Sequence, residues 1–328
     1  MTGDRSIPTL VDVAATAVLP AGDLLASEFR TGHVTGEYGT HDVKTEIDER
    51  AERLVLDALD RLVPDHATHG EETGERGDGT YTWVIDPLDG TNNYAAGFPS
   101  FATATCCRRD GEPVAASVYE PLPGSLYVAG RGEGARVIEG DELAVATETT
   151  DRDDRSVTVG LGGPNPAGRA LAADSDTPLD HATVSFVVGL PVVRDPECRA
   201  RADRMADAIS DTCKRVLQSW SPCVDWGLLA RGGIEAVVCV RPDPFEQYAG
   251  SLLAAESGAA VRESKTADGE SPELYVAAAD PAVADRLYGI VDDHRPDDHR
   301  PDDHRPDDHR PDDHRPDDHR PDDHRPVE

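Results

Sequence analysis

The feature that most constrains the fold is an apolar run that ends in a turn rich in carboxylates. Residues 81–85 (Y-T-W-V-I) combine aromatic and β-branched side chains, and this composition is typical of a buried strand. The hexapeptide D-P-L-D-G-T follows at residues 86–91, so two carboxylates leave the strand three positions apart. Pro87 restricts the backbone between them. The sequence therefore predicts a strand whose end presents acidic side chains at a fixed spacing.

This turn is suited to hold a hard cation and an anion together. The carboxylates of Asp86 and Asp89 and the carbonyl of Leu88 are oxygen ligands of the kind that Mg²⁺ prefers. Gly90 and Thr91 follow, where a turn can direct backbone N–H groups at a phosphate. The alternative is an acidic surface turn, because Asp-Gly is among the commonest turn sequences. The complete hexapeptide behind a strand favours metal and phosphate binding.

Two acidic residues further upstream are weaker candidates for the same site. Glu71 lies 15 residues before Asp86 in the segment G-E-E-T, but acidic pairs are common throughout this chain. Asp48 falls in the opening turn of a predicted helix, where an acidic side chain also stabilises the helix dipole. Spacing alone does not separate this structural role from a catalytic one.

The charge of the chain indicates adaptation to high salt. It has 328 residues, with 64 acidic against 32 basic side chains and a formal net charge of −32. Only three of the basic residues are lysine, and molar salt would screen the repulsion between so many carboxylates. A disordered acidic protein is the alternative, but 38% hydrophobic residues in periodic segments argue against it. The negative charge also argues against nucleic acid or an anionic membrane as a partner.

The apolar segments and cysteines predict a cytoplasmic protein. We expect no secretory signal and no apolar run of about 18 residues able to span a membrane. The six cysteines show neither a C-x-x-C motif nor a paired framework. They are therefore expected to be small buried residues in a reducing compartment, rather than disulfides or zinc ligands.

The composition changes abruptly at residue 291. The pentapeptide D-D-H-R-P repeats seven times over residues 292–326, and a proline at every fifth position excludes a helix. Without apolar residues to build a core, residues 291–328 are predicted to be a disordered tail. Its histidines could bind transition metals weakly, but repeat expansion without a selected role is the preferred interpretation. The preceding 290 residues keep a net charge of −24, so the salt adaptation does not depend on the tail.

Hydrophobic periodicity predicts an α/β protein with two folded domains. The first half, residues 1–150, is predicted to be α+β, with helices at 9–30 and 46–62 and strands near 81–86, 101–107, 113–119 and 125–129. After a polar stretch at 141–156, the second half, residues 151–290, is predicted to be α/β, with strands near 157–160, 183–188, 235–240 and 274–278 and helices at 197–210, 222–231 and 247–257.

Several motifs occur in the order that is typical of one enzyme family. They are D-V-K-T-E-I-D at 42–48, G-E-E at 70–72, W-V-I-D-P-L-D-G-T-N-N at 83–93, G-F-P-S-F at 97–101, R-G-G-I-E-A at 231–236 and A-G-S-L-L-A-A-E-S-G-A at 249–259. Over about residues 10–290 the chain resembles the inositol monophosphatase family of metal-dependent sugar phosphatases. Lys44, two residues after Asp42, looks closer to archaeal members, several of which hydrolyse both inositol monophosphate and fructose 1,6-bisphosphate.

The resemblance implies a fold, an activity and a set of site residues. The implied fold is a layered αβαβα sandwich, and the implied protein is a homodimer that uses Mg²⁺ and an activated water to hydrolyse a small phosphorylated substrate. Within the implied site, Mg²⁺ is held by Glu71, Asp86, Asp89 and the Leu88 carbonyl, the attacking water is oriented by Asp48 and Thr91, and the phosphate is bound by Asp89, Gly90 and Thr91. Glu71 is also counted among the catalytic residues.

One departure from the family pattern concerns a metal ligand. Glu246 stands where the family has an aspartate that binds a second metal. The extra methylene moves the carboxylate by roughly 1.3–1.5 Å, which is large against the narrow range of Mg–O distances. We expect Glu246 to bind the metal directly or through a water. General enrichment in acidic residues is the alternative, but it does not explain glutamate in place of an aspartate.

Other departures concern the substrate. Cys239 stands where many relatives have an acid that binds a sugar hydroxyl, and a thiol is a poor replacement. Residues 215–225 look about two residues longer than the family pattern, with Trp220 and Pro222 among usually small residues. Arg215 in this segment could bind a second phosphate, although an exposed helix arginine is the alternative.

These observations leave the substrate and even the class of function open. Fructose 1,6-bisphosphatase, inositol monophosphatase and 3′-phosphoadenosine phosphatase activities all fit the motifs. A different class is a catalytically weakened paralogue that binds a phosphorylated ligand or acts as a regulatory protein. Glu246 and Cys239 favour that alternative, whereas the presence of Asp48, Asp86 and Asp89 favours an enzyme.

Overall fold

The protein is built from alternating layers of helices and sheets. The computed structural model describes residues 5–32, 36–38, 43–146, 167–265 and 272–295. Its helices are α1 (Ile7–Thr31), α2 (Glu46–Leu62), α3 (Thr91–Ala96), α4 (Gly140–Ala146), α5 (Leu190–Arg194), α6 (Pro196–Ser210), α7 (Pro222–Ala230), α8 (Pro244–Glu256) and α9 (Pro281–Asp292). Its strands are β1 (Gly36–Tyr38), β2 (Val43–Thr45), β3 (Ala67–Gly70), β4 (Gly74–Arg76), β5 (Tyr81–Asp89), β6 (Ala102–Arg109), β7 (Glu112–Glu120), β8 (Ser125–Gly130), β9 (Gly134–Glu139), β10 (Arg169–Ala170), β11 (Thr183–Val188), β12 (Arg215–Leu217), β13 (Ala236–Val240), β14 (Ala260–Lys265) and β15 (Pro272–Ala278).

Two sheets form the framework of the described residues. The larger sheet has the order β10-β9-β8-β7-β6-β5-β3-β4 and is antiparallel except between β3 and β5. The smaller sheet has the order β12-β11-β13-β15-β14, and β11 runs parallel to both of its neighbours. β1 and β2 form a separate antiparallel ribbon.

Helices cover both faces of each sheet. α1 and α2 pack on one face of the larger sheet, and α7 and α8 lie between the two sheets. α6 and α9 cover the remaining face of the smaller sheet. The order of layers is therefore αβαβα, which confirms the predicted α/β sandwich.

Strands buried on both faces separate the core into regions. In β13, Val237 and Cys239 belong to the core around α7 and α8, whereas Ala236, Val238 and Val240 belong to the core around α6 and α9. This division follows from the alternation of side chains along a strand. It also explains why the strand is an unbroken apolar run in the sequence.

Helix α1 corrects one expectation from the sequence. It is long and apolar enough to cross a membrane by length and composition, although no such segment was expected. Of its most apolar 18-residue window, 72% is buried inside the protein. Its apolar residues pack against β6, β7 and β8, so they form part of the core of the larger sheet.

The domain boundary predicted at residue 150 stays a prediction. β10 follows this boundary in the sequence and pairs with β9 in the larger sheet. By its contacts, Met1–His294 forms one compact unit. α9 continues through Asp292 and buries Val291, so the predicted start of the tail at 291 is a few residues too early. The predicted strand at 157–160 lies outside the described residues.

Candidate metal and phosphate site

Parallel pairing of two strands places Glu71 beside Asp86. Gly70 at the end of β3 is in register with Ile85 of β5, and the Glu71 N–H donates to the Ile85 carbonyl at 3.3 Å. β3 and β5 therefore both end at the same edge of the sheet. Two acidic residues that are 15 positions apart in the sequence become neighbours.

Asp86 and Asp89 occupy the end of β5, where its pairing with β6 becomes irregular. The register of β5 against β6 shifts between these two residues, and the Thr103 hydroxyl donates to the Pro87 carbonyl at 2.7 Å within the irregular segment. Each aspartate is only 4% exposed. Ligand atoms of Asp86, Asp89 and Cys223 all lie within 4.8 Å of one another.

The environment of Asp86 fits a bound cation. Its Oδ1 is buried and has no hydrogen-bond partner among the described residues. Burial, followed by the charges of Glu71, Asp89 and Glu246, raises the pKa of Asp86 well above its usual range. A buried carboxylate oxygen without a donor is costly unless a positive charge compensates it. Carboxylates and a backbone carbonyl are also the donor set that Mg²⁺ prefers.

Asp89 is oriented by residues from the second half of the chain. Its Oδ2 accepts a hydrogen bond from the Ser221 hydroxyl at 2.6 Å and another from the Cys223 N–H at 2.9 Å. Burial raises the pKa of Asp89 to about 7, and the hydrogen bond from Ser221 opposes the shift. Burial also raises the pKa of the Cys223 thiol well above its usual range. Because the thiolate is the ligating form of cysteine, the carboxylates are the better ligands here.

Gly90 allows the chain to turn sharply after the aspartates. Its φ of +87° lies in the left-handed region that favours glycine. A Cβ at this position would lie 2.9 Å from the Ser100 carbonyl and 3.0 Å from the Ser221 hydroxyl. The turn therefore requires glycine both for its conformation and for the space around it. It leads directly into α3, which begins at Thr91.

Asp48 stabilises the start of α2 and also faces the predicted site. Its Oδ2 accepts hydrogen bonds from the Thr45 N–H at 2.8 Å and the Thr45 hydroxyl at 2.5 Å, which caps the start of α2. Its Oδ1 lies 3.1 Å from the Thr91 hydroxyl, which is also 2.9 Å from the Leu88 carbonyl. The two interpretations left open by the sequence are thus compatible.

Glu52 is a buried residue near the site that the sequence analysis did not identify. It follows Asp48 by one helical turn and is 0% exposed. Its carboxylate accepts hydrogen bonds from the N–H groups of Glu72 at 2.8 Å and Thr73 at 3.0 Å. A Cβ on Gly70 would lie only 2.5 Å from this carboxylate. Glu52 therefore holds the loop that carries Glu71. Its position four residues after Asp48, on the same face of the helix, is the sequence feature that could have identified it.

Glu246 approaches the same cluster from the first turn of α8. Burial, then the charges of Asp89 and Asp243, raise the pKa of Glu246 well above its usual range, while a hydrogen bond from the backbone of Asp243 opposes the shift. This residue therefore has the geometry of a helix cap as well as proximity to the aspartates. The Phe245 ring lies 4.9 Å from the His69 ring, which connects α8 to β3.

The clustered carboxylates line one cavity of about 160 Å³. Glu71, Asp86, Asp89 and Glu246 are on its wall, together with Leu88, Gly90 and Thr91. The structure thus brings together the predicted metal and phosphate ligands. Asp48 touches this wall through Thr91.

The two predicted substrate contacts lie away from the cavity wall. Arg215 is exposed at the start of β12, and Cys239 is fully buried in β13. Among the described residues that line the cavity, Arg199 is the one basic residue, and its Nε lies 3.0 Å from Asp203.

The fold and the site define an αβαβα protein with an acidic candidate cation site at its strand ends. A sequence profile of the inositol monophosphatase family matches residues 8–295. The chain belongs to this family.

Curated relatives cover most of the chain. The Nus factor SuhB of Xylella fastidiosa is 30% identical over 261 residues, which are 79% of this chain and 83% of that protein. The Nus factor SuhB of Escherichia coli K12 is 26% identical over 257 residues, with 77% and 84% covered.

Solved structures show the same fold at low identity. The inositol monophosphatase of Anabaena is 22% identical with a TM-score of 0.66 and covers 88% of this chain and 98% of that one. The Thermotoga maritima IMPase is 20% identical with a TM-score of 0.67, covering 87% and 97%.

Proposed function

We propose that this protein is a Mg²⁺-dependent phosphomonoesterase that hydrolyses a small sugar or inositol phosphate. The observation that carries the proposal is the carboxylate cluster, in which a buried oxygen of Asp86 lacks a donor among the described residues. Membership of the inositol monophosphatase family supports phosphatase activity. The site's donor set supports a hard divalent cation rather than a thiolate-bound metal.

The proposed metal ligands are Glu71, Asp86, Asp89, Glu246 and the Leu88 carbonyl. Bound Mg²⁺ would supply positive charge to the phosphoryl oxygens and lower the pKa of the attacking water. The protein's own contribution is to position these groups, since phosphoryl transfer needs little covalent assistance.

Asp48 and Thr91 are the residues proposed to orient the water. The Thr91 hydroxyl lies within hydrogen-bond distance of both the Asp48 carboxylate and the Leu88 carbonyl, so its position is fixed from two sides. A water that contacts this hydroxyl would lie next to the aspartate cluster. Asp89, Gly90 and Thr91, at the turn that begins α3, are proposed to bind the phosphate.

A second candidate function is suggested by the curated relatives. Two of them are named Nus factor SuhB. By the family resemblance, Glu246 also stands where relatives have an aspartate. The alternative is a regulatory protein that binds a phosphorylated ligand and hydrolyses it slowly. Retention of the catalytic pattern at Asp48, Glu71 and Thr91 makes this the second choice.

The proposed setting is a salt-rich cytoplasm, with the protein acting as a homodimer. The net charge of −32 supports adaptation to salt, and six unpaired cysteines support a reducing compartment. The dimer rests on the family resemblance alone. Sedimentation of the purified protein in molar KCl would test it.

A substrate panel tests the proposed function against its alternative. Phosphate release would be measured with Mg²⁺ in about 2 M KCl from inositol 1-phosphate, fructose 1,6-bisphosphate and 3′-phosphoadenosine 5′-phosphate. Release from one of them would support the enzyme and name its substrate. Binding without release would support the regulatory alternative. Folded protein that neither binds nor hydrolyses any of them would contradict both.

A further inference from the structure

Trp220 combines an unusual backbone conformation with exposure beside the candidate site. Its φ is +59°, in the left-handed region that a bulky side chain rarely adopts. It is 49% exposed, and it lines the same cavity as the carboxylate cluster. Strained residues persist where their surroundings hold them in place, and they concentrate at ligand sites. An exposed tryptophan in this conformation therefore requires an explanation.

Both neighbours of Trp220 are anchored to buried carboxylates. The Ser219 hydroxyl donates to Asp225 at 2.6 Å, and the Ser221 hydroxyl donates to Asp89 at 2.6 Å. Asn93 additionally donates to the Ser219 carbonyl at 2.8 Å. The strained residue is thus held between two fixed points, one of which is a proposed metal ligand.

The wall of the cavity that Trp220 lines also includes apolar residues. Phe186, Val188, Leu190 and Val193 contribute to this wall, whereas the acidic residues of the cluster form another part of it. A phosphate monoester bound at the cluster would direct its alcohol portion into the rest of the cavity. Aliphatic and aromatic side chains there offer a surface for an apolar face of that portion.

We propose that Trp220 is a stacking surface for a planar ring carried by the alcohol portion of the bound phosphate monoester. The ligand class is a phosphate ester with an aromatic ring, such as a nucleotide or an aryl-substituted alkyl phosphate. This inference rests on the proposed function only for the placement of the phosphate at the carboxylate cluster. Aromatic stacking of this kind corresponds to a gain in affinity of about 5- to 150-fold.

The tryptophan content of the chain makes the inference directly measurable. The chain has three tryptophans, and Trp83 and Trp226 are both 0% exposed. Fluorescence that changes on contact with a ligand in the cavity therefore reports on Trp220. The wild-type protein would be titrated in the presence of Mg²⁺ with ribose 5-phosphate, adenosine 5′-monophosphate and benzyl phosphate. We expect the two ring-bearing esters to quench the emission and to bind about tenfold more tightly than ribose 5-phosphate.

Matched variants separate stacking from general effects on the fold. Trp220→Asn removes the ring, and asparagine tolerates the left-handed conformation better than most residues. Calorimetric titration should show that this variant loses the preference for ring-bearing esters and that Trp220→Phe retains most of it. Phe98→Ala is the control, because Phe98 is 56% exposed but is not among the residues that line the cavity. It should keep the preference unchanged.

Equal affinity of the wild type for ribose 5-phosphate and the ring-bearing esters would overturn the inference. A preference that persists in Trp220→Asn would also overturn it. Tighter binding of the nucleotide but not of benzyl phosphate would support the inference and restrict the ring to a nucleobase. These readouts are of binding, so they are separate from hydrolysis: a ring preference without phosphate release would count against the proposed enzyme and still support the stacking surface.

Discussion

At the scale of single residues, the candidate site is a concentration of negative charge that the protein stabilises poorly by itself. Asp86 is buried, lies near four other carboxylates and has one oxygen without a donor among the described residues. Such an arrangement lowers the stability of the fold unless a cation is present. Removing the charge of Asp86 should therefore weaken Mg²⁺ binding and raise the stability of the cation-free protein.

The substitution Asp86→Asn tests that opposition. We expect it to lower turnover by roughly 100-fold or more, because it removes a charge from the proposed metal ligands. In the absence of Mg²⁺ the same variant should melt about 2–4 °C higher than the wild type, because repulsion within the cluster is reduced. Phosphate release and thermal denaturation measure the two effects. A variant of near-parental activity would contradict the assignment of Asp86 as a ligand.

A second substitution asks whether Glu246 is a metal ligand or only a helix cap. Glutamine is also suited to the third position of a helix, so Glu246→Gln keeps the cap while removing the charge. If Glu246 binds the metal, the Mg²⁺ concentration for half-maximal activity should rise about tenfold. The melting temperature without Mg²⁺ provides the control and should not fall. An unchanged Mg²⁺ dependence would restrict Glu246 to the role of a cap.

The residues of the site differ in how visible they are in the sequence. Asp86 and Asp89 could be predicted because a strand and a turn of known chemistry are adjacent there. Ser221, which orients Asp89, is separated from it by 132 residues, so no local motif connects the two. Glu52 lies within α2, where glutamate is a common residue and does not indicate a site. Arg215 is exposed and is not among the described residues that line the cavity, so its predicted contact with a second phosphate stays a prediction.

At the scale of elements, α2 connects two separate parts of the site. Asp48 in its first turn contacts Thr91, and Glu52 one turn later holds the loop that carries Glu71. The apolar stripe of the same helix packs against β5 in the core. Since one rigid helix presents both carboxylates, packing of the core fixes the relative positions of two strand ends.

The substitution Glu52→Gln tests this connection. An amide can accept at only one atom, so one of the two loop N–H groups loses its acceptor and the free energy of unfolding should fall by about 1–3 kcal/mol. The displaced loop should also raise the Mg²⁺ concentration for half-maximal activity about tenfold. Thermal denaturation and phosphate release at varied Mg²⁺ measure these effects.

Asp57→Asn on the same helix is the matched control, because Asp57 is exposed and lies outside the contacts described for Glu52. It should leave both quantities near the wild-type values. A fall in stability without a change in Mg²⁺ dependence would show that Glu52 supports the loop but not the site.

Elements with a strong periodic pattern were predicted well, and short edge elements were not. The observed α2 has the predicted bounds 46–62, and β11 has the predicted bounds 183–188. β4 and β12 have three residues each, too few for a period to be visible, and β14 is only partly buried. α9 was not predicted, although its buried residues Val283, Ala284, Leu287 and Val291 have the spacing of one helical face.

At the scale of the whole molecule, the site needs both halves of the chain. Asp86 and Asp89 come from the larger sheet, whereas Ser221 and Glu246 come from α7 and α8 and the segments before them, between the two sheets. The αβαβα order could be predicted through the family resemblance, but the joining of β10 to the larger sheet could not, because a two-residue strand has no sequence signature.

The repeat region is predicted to be dispensable for folding and activity. The compact unit ends at His294, and Val291 is the last residue of α9 that is fully buried. Deleting residues 296–328 should therefore leave the melting temperature and turnover within error of the full chain. Deleting residues 291–328 instead removes Val291 and should lower the melting temperature by several degrees. Loss of activity on deleting residues 296–328 would show that the repeats have a role in the folded protein.

The measurement that tests the central claim most directly is phosphate release as a function of free Mg²⁺. The protein would be freed of divalent cations with a chelator and assayed with inositol 1-phosphate and fructose 1,6-bisphosphate in about 2 M KCl. The account predicts no release without Mg²⁺ and a saturable rise as Mg²⁺ is added, with that rise abolished in Asp86→Asn. Phosphate release that is equally fast in the chelated protein would contradict a cation site at the carboxylate cluster.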